Sequence, residues 1–211
     1  MEENKILIIS AHPDDAELAM GGTISKFIEK GYKVKNLIVS IPNKPSIRKE
    51  EAQLSAKLLK METEFLFDDY PKGVEHYSSY ELITALEPKI LEFNPSIIFT
   101  HWDEDSHQDH RILSLAVQSC LRLKKCSLYF FEQINQQNVF ISGKFSPNTY
   151  IDITSYIDVK VESIKVHNSQ IGPENSRYLN DVINLNKWRG HQMDTEYAES
   201  FKLVFQNNLL I

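Results

Sequence analysis

Short apolar runs recur along the N-terminal part of the chain, separated by longer amphipathic stretches. Each run has the length of a strand, and its continuous apolar character is typical of strands that are buried on both faces. These runs are residues 5–10, 34–39, 64–67, 96–100 and 127–131. Two further extended segments are predicted at 149–153 and 202–206. The pattern therefore predicts a sheet that is covered by helices on both sides.

Helical spacing of apolar residues fills the intervals between these runs. The predicted helices are residues 16–30, 47–60, 81–93, 154–167 and 176–190. Gly31 follows the first helix, where glycine commonly ends a helix in the left-handed conformation. Pro88 lies inside the third helix and lacks a backbone N–H, so we expect it to kink or split that helix.

Strands that alternate with helices indicate repeated βαβ units. We therefore predict an α/β fold with a Rossmann-like, mostly parallel sheet flanked by helices, in a single domain over residues 1–211. Right-handed crossovers place the carboxyl ends of all parallel strands at one edge of the sheet. Ligands of such folds bind at that edge, near the point where the strand order reverses.

The charge and composition exclude several classes of function. The formal net charge is −6 and the lysines are scattered, which argues against nucleic acid or an anionic membrane as a partner. No apolar stretch approaches the roughly 18 residues of a membrane span, and the N-terminus lacks a cleavage signal. We therefore expect a cytoplasmic protein without membrane insertion. The sequence is compatible with a homo-oligomer. Cys120 and Cys126 are predicted to be buried free thiols.

A polar cluster follows the first apolar run directly, in the sequence AHPDDAELAMGG at residues 11–22. His12 and Asp15 are three positions apart across a tight turn into a helix, so both side chains can face one point above the strand end. Asp14 lies between them and is free to face whatever that point holds.

A second polar cluster, THWDEDSHQDHR at residues 100–111, follows the fourth apolar run. His107 and His110 have the i, i+3 spacing of one helix face. A single aspartate or histidine at a strand end is most often a helix cap or a hydrogen-bonded surface group. Two clusters at the same edge favour a cation instead, because crowded carboxylates need compensation.

The donor types narrow the choice of metal. Histidine with carboxylate and no cysteine suits Zn²⁺ or another late first-row divalent ion such as Fe²⁺. Three protein ligands leave a position for water, whose pKa zinc lowers to about 7, giving a nucleophile at neutral pH. Asp14 is then the candidate general base.

Both clusters resemble the de-N-acetylase family of N-acetylglucosaminyl-phosphatidylinositol deacetylases, bacterial thiol-biosynthesis deacetylases and LmbE-like proteins. The family pattern A-H-P-D-D-x-E-x-x-x-G-G matches residues 11–22, and its D-x-H-x-D-H matches residues 105–110. Weaker similarity extends through Arg48, KVHNSQ at 165–170, WRG at 188–190 and YAESF at 197–201, so the resemblance spans nearly the whole chain.

The resemblance implies a role for each matched position. Zinc would be bound by His12, Asp15 and His110, and Asp14 would take a proton from the water that zinc activates. His107, as an imidazolium, would stabilise the oxyanion and protonate the leaving amine, with Asp109 holding its other nitrogen.

Two further residues are candidates for substrate binding. Arg48 could anchor an anionic or hydroxyl group, and the alternative is a solvated charge on a helix. Tyr197 could polarise the substrate carbonyl, and the alternative is a tyrosine packed for structural reasons. The other histidines, namely His76, His101, His167 and His191, are interpreted as structural. We expect Gly21 and Gly22 to serve close packing, because glycine inside a helix costs roughly 1 kcal/mol relative to alanine.

The sequence also departs from the family pattern. The loop SIPNKPS at 40–46 differs from the Thr and Gly of many relatives, and Gln108 replaces their usual proline. These changes affect specificity more than the metal core. The loops 40–46, 68–80 and 132–148 are expected to recognise the substrate, with the last predicted to form a hairpin or a loop over the site.

The leading hypothesis is a zinc-dependent hydrolase that removes an N-acetyl group from an N-acetylated amino sugar or its glycoconjugate. Within the same chemistry, the substrate could be another N-acyl compound. Two alternatives belong to other classes. One is a metal-dependent phosphoesterase, which usually needs two metal ions, and the other is a non-catalytic sugar-binding protein.

Overall fold

Seven strands form one sheet in the computed structural model, which describes residues 4–67, 72–134, 144–172 and 176–207. In chain order, the strands are β1 (Lys5–Ser10), β2 (Lys33–Ile38), β3 (Glu62–Phe65), β4 (Ile97–His101), β5 (Ser127–Phe131), β6 (Thr149–Asp152) and β7 (Ala198–Phe205). Their spatial order is β3-β2-β1-β4-β5-β7-β6. Strands β1 to β5 are parallel, whereas β7 runs antiparallel to both β5 and β6.

Within the described residues, six α-helices accompany the sheet: α1 (Asp15–Glu29), α2 (Pro45–Leu59), α3 (Ser79–Phe93), α4 (Gln108–Cys120), α5 (Ile157–Lys165) and α6 (Ser176–His191). Alternate residues of β1 point to opposite faces of the sheet, as the strand period requires. Leu7 and Ile9 pack against α3 and α4, and Ile6 and Ile8 pack against α1 and α2. The sheet is therefore buried on both faces, and the predicted α/β, mostly parallel fold is confirmed.

The boundaries differ from the predictions where pairing, rather than apolar character, defines a strand. Strand β7 begins at Ala198 instead of 202, because Ala198 pairs with Asp152 of the edge strand β6. Strand β3 covers residues 62–65 instead of 64–67, in register with β2. The segment predicted as one helix over 154–167 is a 3₁₀ turn at 154–156 followed by α5.

Helix α3 runs through Pro88 without interruption, so the predicted split is wrong. Its buried face, with Leu82, Leu86 and Ile90, packs on the sheet across the proline. This packing offsets the loss of one backbone hydrogen bond. At its start, Ser78 and Glu81 form a reciprocal capping box.

Other expectations have mixed outcomes. Cys120 and Cys126 are free and buried, as predicted. Residues 132–134 and 144–148 form no strand, so they do not support a hairpin, and residues 135–143 lie outside the described part. Residues 68–71 of the predicted substrate loop 68–80 also lie outside it. None of the described helices combines the length and apolar character that crossing a membrane requires.

Gly21 and Gly22 lie where helix α1 packs closely against α5 and against Ile153, the residue after β6. Met20 leaves the helical conformation (φ −146°), so the second part of α1 begins at the glycines. The Glu199 carboxylate accepts the backbone N–H groups of Gly22 and Thr23 and pairs with the buried Lys160 ammonium, whose Nζ lies 2.6 Å away. A Cβ atom on Gly22 would lie 2.8 Å from Cβ of Ile153. The expectation of close packing at this glycine is therefore confirmed.

Replacing Gly22 with alanine should lower the free energy of unfolding by about 1–3 kcal/mol, because the added methyl group overpacks the contact with Ile153. Urea denaturation measures the change. Ser25→Ala on the same helix is the control and should change stability by less than about 0.5 kcal/mol. A Gly22→Ala protein as stable as the wild type would contradict the close packing.

Candidate metal centre and active site

The two polar clusters meet at the carboxyl ends of β1 and β4. These strands are neighbours at the centre of the sheet, where the order of strands reverses from β3-β2-β1 to β4-β5. Residues after β1 turn into α1, and residues after β4 turn into α4. The site thus has the position that ligands of this fold class prefer.

The turn after β1 separates the two adjacent aspartates. Asp14 has a φ angle of 99°, in the left-handed region that non-glycine residues rarely adopt. Its carbonyl oxygen accepts the first helical N–H, from Leu18, but its side chain makes no cap hydrogen bond. Asp15 folds back, and its Oδ2 accepts the backbone N–H of His12 at 2.7 Å. The strained backbone therefore lets the two carboxylates face different partners.

His12 is held from its outer side by Asp109. Its Nε2 lies 2.9 Å from Oδ2 of Asp109, and its Nδ1 lies 3.7 Å from Oδ2 of Asp15. The Asp109 carboxylate also accepts the backbone N–H groups of Val74 and Glu75, at 2.9 and 3.0 Å. Because those amides come from the segment before α3, the ring of His12 is oriented by a distant part of the chain.

His110 is held in the same way by Asp105. Its Nδ1 lies 3.3 Å from Oδ2 of Asp105, and its Nε2 lies 3.5 Å from Oδ1 of Asp15. Asp105 also accepts the backbone N–H of His107, which ties it to the start of α4. Both His12 and His110 therefore direct one nitrogen to an outer carboxylate and the other towards Asp15, as metal-binding histidines usually do.

His101 is the third histidine beside Asp15, although we interpreted it as structural. It is fully buried and stacks on the His110 ring with centroids 3.8 Å apart. Its Nε2 accepts the backbone N–H of Ala11 at 2.9 Å and lies 3.2 Å from Oδ2 of Asp15. Because this nitrogen already has a donor, His101 is better placed to position the turn after β1 than to bind an ion.

Two groups of potential ligands are compact among the described residues. The ligand atoms of His12, His107 and His110 lie within 4.8 Å of one another, as do those of Asp15, His101 and His110. The predicted set of His12, Asp15 and His110 takes members from both groups and shares His110 with each. All three of its residues are buried, and the rings of His12 and His110 face different oxygens of the Asp15 carboxylate. Together, however, these three residues do not form one of the two compact groups.

The electrostatics of the cluster fit a cation. Burial opposes charge on His110, but Asp15 and Asp105 outweigh it and raise the pKa of His110 to about 10. Burial likewise opposes charge on Asp15, yet His110 and His101 hold its pKa well below the ordinary value. In the metal-free protein, a proton on His110 therefore supplies positive charge that a divalent ion can replace.

Asp14 has the opposite environment from its neighbour. Burial and the charge of Asp15 raise the pKa of Asp14 to about 6, even though Arg48 lowers it. The Arg48 guanidinium is buried, and its Nη2 donates to the Pro13 carbonyl at 2.8 Å and to Oδ1 of Asp14 at 3.2 Å. A carboxylate with a pKa near neutrality is suited to take up and release a proton.

His107 and Asp109 are arranged differently from what the resemblance implies. The Asp109 carboxylate contacts His12, and it is the backbone N–H of Asp109 that donates to Nδ1 of His107, at 3.2 Å. A neutral His107 ring then carries its proton on Nε2. Burial and the charges of His110 and His12 lower the pKa of His107. These effects disfavour the imidazolium form of His107, which the resemblance implies, and favour the neutral ring.

The structure places only one of the two predicted substrate-binding residues within the site. Arg48 lies within the site but is directed at Asp14 and Pro13, which assigns it a positioning contact. Tyr197 lies just before β7, where its ring contacts Lys187 and its backbone bonds with Thr154. That position is at the β6–β7 side of the sheet, separated from β4 by β5.

Sequence analysis missed three residues that support the site. Asp105 was visible within the D-x-H-x-D-H pattern, but its contact with His110 depends on how α4 starts. Gln133, which donates to Asp15 at 2.9 Å, carries no sequence signal because it comes from the segment after β5. His101 was interpreted only as a structural histidine.

Arg48→Met should move the pKa of Asp14 above about 6 in the metal-free protein, because the carboxylate loses a neighbouring positive charge. Titration of the side-chain carboxyl by ¹³C NMR measures the midpoint. Lys44→Met is the matched control, since Lys44 is exposed and donates to the Ser169 carbonyl. A midpoint that stays in place or falls in Arg48→Met would contradict the assigned contact.

Comparison with known proteins finds relatives that are named as deacetylases. The chain is 26% identical over 175 residues to the uncharacterized deacetylase YaiS of Escherichia coli, covering 78% of this chain and 90% of YaiS. It is 25% identical over 230 residues to the diacetylchitobiose deacetylase of Thermococcus kodakarensis, covering 95% of this chain and 83% of that enzyme.

Solved structures show the same fold, and one of them carries a different activity. The chain matches the 4-carboxy-2-hydroxymuconate hydratase GalB of Pseudomonas putida with a TM-score of 0.81 and 20% identity, over 99% of both chains. At that identity the likeness establishes the architecture only.

Residues 7–121, more than half of the chain, match the PIG-L family, described as GlcNAc-PI de-N-acetylase. The chain therefore belongs to the PIG-L de-N-acetylase family.

Proposed function

We propose that the protein is a zinc-dependent hydrolase that removes the acetyl group from an N-acetylated amino sugar or sugar conjugate, releasing acetate and an amine. The observation that carries the proposal is that His12 and His110 each direct one ring nitrogen at the carboxylate of Asp15, at 3.7 and 3.5 Å, next to Asp14 in the chain. Family membership supports deacetylation, and the names of the relatives support a small N-acetylated sugar as the substrate.

The proposed zinc ligands are His12 through Nδ1, Asp15, and His110 through Nε2. Asp109 and Asp105 occupy the other nitrogens of the two histidines, which leaves the inner nitrogens directed at Asp15. When bound, zinc would supply a Lewis acid that lowers the pKa of water to about 7. Fe²⁺ would suit the same nitrogen and oxygen donors.

Asp14 is the proposed general base. Its pKa of about 6 leaves it mostly ionised at pH 7, so it can accept a proton from the attacking water. The same carboxyl group can return that proton to the nitrogen of the leaving amine. Arg48 holds the carboxylate in place through its bonds to Asp14 and to the preceding carbonyl of Pro13.

His107 is proposed to stabilise the oxygen that becomes negatively charged. Its partly covered ring stacks on His110 with centroids 4.5 Å apart, and its Nδ1 accepts the Asp109 N–H. The Nε2–H group can therefore donate to the substrate oxygen. A positioned donor is most effective when the negative charge develops. Asp109 contributes by orienting His12 and by setting the proton position on His107.

Other activities make different demands on the site. Another N-acyl compound would use the same residues, so only substrate assays separate it from an acetyl sugar. A phosphoesterase would usually need two metal ions, and a non-catalytic sugar-binding protein would need neither Asp14 nor His107. The cytoplasmic location and the single-domain extent predicted from the sequence remain predictions, as does Tyr197 as a substrate-binding residue.

The zinc-loaded protein should release acetate from N-acetylglucosamine conjugates, with N,N′-diacetylchitobiose as the first substrate to test. Mass spectrometry of the amine product and an acetate assay measure the reaction. The control is the same protein after chelation of the metal, which should lose activity and recover it on addition of zinc. Persistent absence of acetate release by metal-loaded protein across a panel of acetylated sugars would contradict the proposed substrate class.

Asp14→Asn should reduce turnover by about 10²- to 10⁴-fold while retaining zinc, because it removes the base but no proposed ligand. His12→Ala should instead lose the metal. Zinc content by inductively coupled plasma spectrometry should be about one ion per wild-type chain. Full activity in Asp14→Asn would refute the base assignment, and two ions per chain would favour phosphoryl chemistry.

A further inference from the structure

The segment after β5, residues 132–134, is tied to the rest of the protein at three successive positions. Glu132 bonds with Arg189 of α6 and with Ser200 of β7. Gln133 bonds with Asp15, and the carbonyl of Ile134 accepts the Tyr178 hydroxyl at 3.4 Å. This tethered segment therefore links the C-terminal helix to the candidate metal centre.

The contact between Glu132 and Arg189 is the strongest of these ties. Arg189 contacts both carboxylate oxygens of Glu132, with Nε 2.7 Å from Oε2 and Nη2 on Oε1. Both side chains are only 11% exposed. Bidentate pairs of this kind fix orientation as well as distance, and partial burial reduces screening by solvent. The backbone of residue 132, and hence the start of residue 133, is held by this pair.

Gln133 reaches from this anchor to Asp15. Its Nε2 donates to Oδ1 of Asp15 at 2.9 Å and lies 3.4 Å from the Asp15 carbonyl oxygen. The other carboxylate oxygen, Oδ2, accepts the backbone N–H of His12 at 2.7 Å. One hydrogen bond on each oxygen thus sets the rotation of the carboxylate about its own axis.

We infer that Gln133 is a positioning residue for Asp15 and that the Glu132–Arg189 pair holds it in that position. The inference rests on the proposed function, in which Asp15 is a metal ligand. A carboxylate that is already oriented loses less conformational freedom when it binds an ion. Outer hydrogen bonds of this type typically change metal affinity by about 10- to 100-fold.

Gln133→Met tests the first part, because methionine is close to glutamine in length and volume but donates no hydrogen bond. Zinc affinity should fall by about 10- to 100-fold in a competition assay with a chelating indicator. The visible spectrum of the cobalt-substituted protein should also change, because the ligand field depends on how Asp15 is oriented. Gln118→Met on α4, which bonds with Asp103, is the matched control and should leave both measurements unchanged.

A merely structural role would produce a different pattern. In Gln133→Met the metal-free protein should still unfold in one cooperative thermal transition, while its zinc affinity falls. Wild-type zinc affinity and an unchanged cobalt spectrum in folded Gln133→Met would overturn the inference. So would a loss of zinc affinity that is matched by an equal loss in Gln118→Met.

Arg189→Gln tests the second part and also serves if Gln133→Met fails to fold. It should weaken zinc binding in the wild-type background but have little further effect when Gln133 is already methionine, because both act through one contact. Arg122→Gln breaks the exposed pair with Glu87 and is the matched control. Zinc affinity in Arg189→Gln equal to that in Arg122→Gln would overturn this part.

Failure of the inference can be told apart from failure of the proposed metal site. Asp15→Asn should abolish high-affinity zinc binding if the site is correct, whatever Gln133 does. If Asp15→Asn binds zinc like the wild type, the metal site itself is wrong and the inference falls with it. If Asp15→Asn loses zinc and Gln133→Met does not, only the inference is wrong.

Discussion

The buried carboxylate of Asp15 is the constraint on which the rest of the site depends. An isolated charge at this depth would be costly, so the surrounding groups must compensate for it. The backbone N–H of His12, the His110 imidazole and the Gln133 amide all lie against this carboxylate. They come from three different parts of the chain. Folding therefore brings polar groups from distant parts of the chain to the one buried carboxylate of Asp15.

The same arrangement separates two adjacent aspartates chemically. Asp15 is surrounded by histidines, which hold its pKa low, whereas Asp14 is buried beside that negative charge, which raises its pKa to about 6. The left-handed backbone at Asp14 points the two side chains in different directions. When their environments drive the pKa values of two carboxyl groups apart in this way, the two groups typically have different roles. One is an ionised ligand, and the other takes up and releases a proton.

The fold supplies the position of the site but not its reaction. The sheet places the carboxyl ends of β1 and β4 side by side. Helix α1 is held by the close packing of Gly22 and by the hydrogen bond of Gly22 to Glu199, which is paired with Lys160. A hydratase shares this architecture at a TM-score of 0.81, which shows that the scaffold accommodates more than one chemistry. The reaction is argued from the donor set and from membership of the PIG-L family. Recognition of the substrate by the loops 40–46, 68–80 and 132–148 remains a prediction.

The sequence by itself determined the fold class, the alternating strands and helices, and the two clusters that meet at the sheet edge. Apolar periodicity and short-range motifs carry that information, because neighbouring residues share local geometry. Only the tertiary structure decided which carboxylate faces which imidazole. The Asp109 carboxylate bonds with His12 instead of His107, Arg48 bonds with Asp14, and Gln133 reaches Asp15 from the segment after β5. These contacts join residues that are distant in sequence, so no local pattern encodes them, and packing of the whole chain alone brings them together.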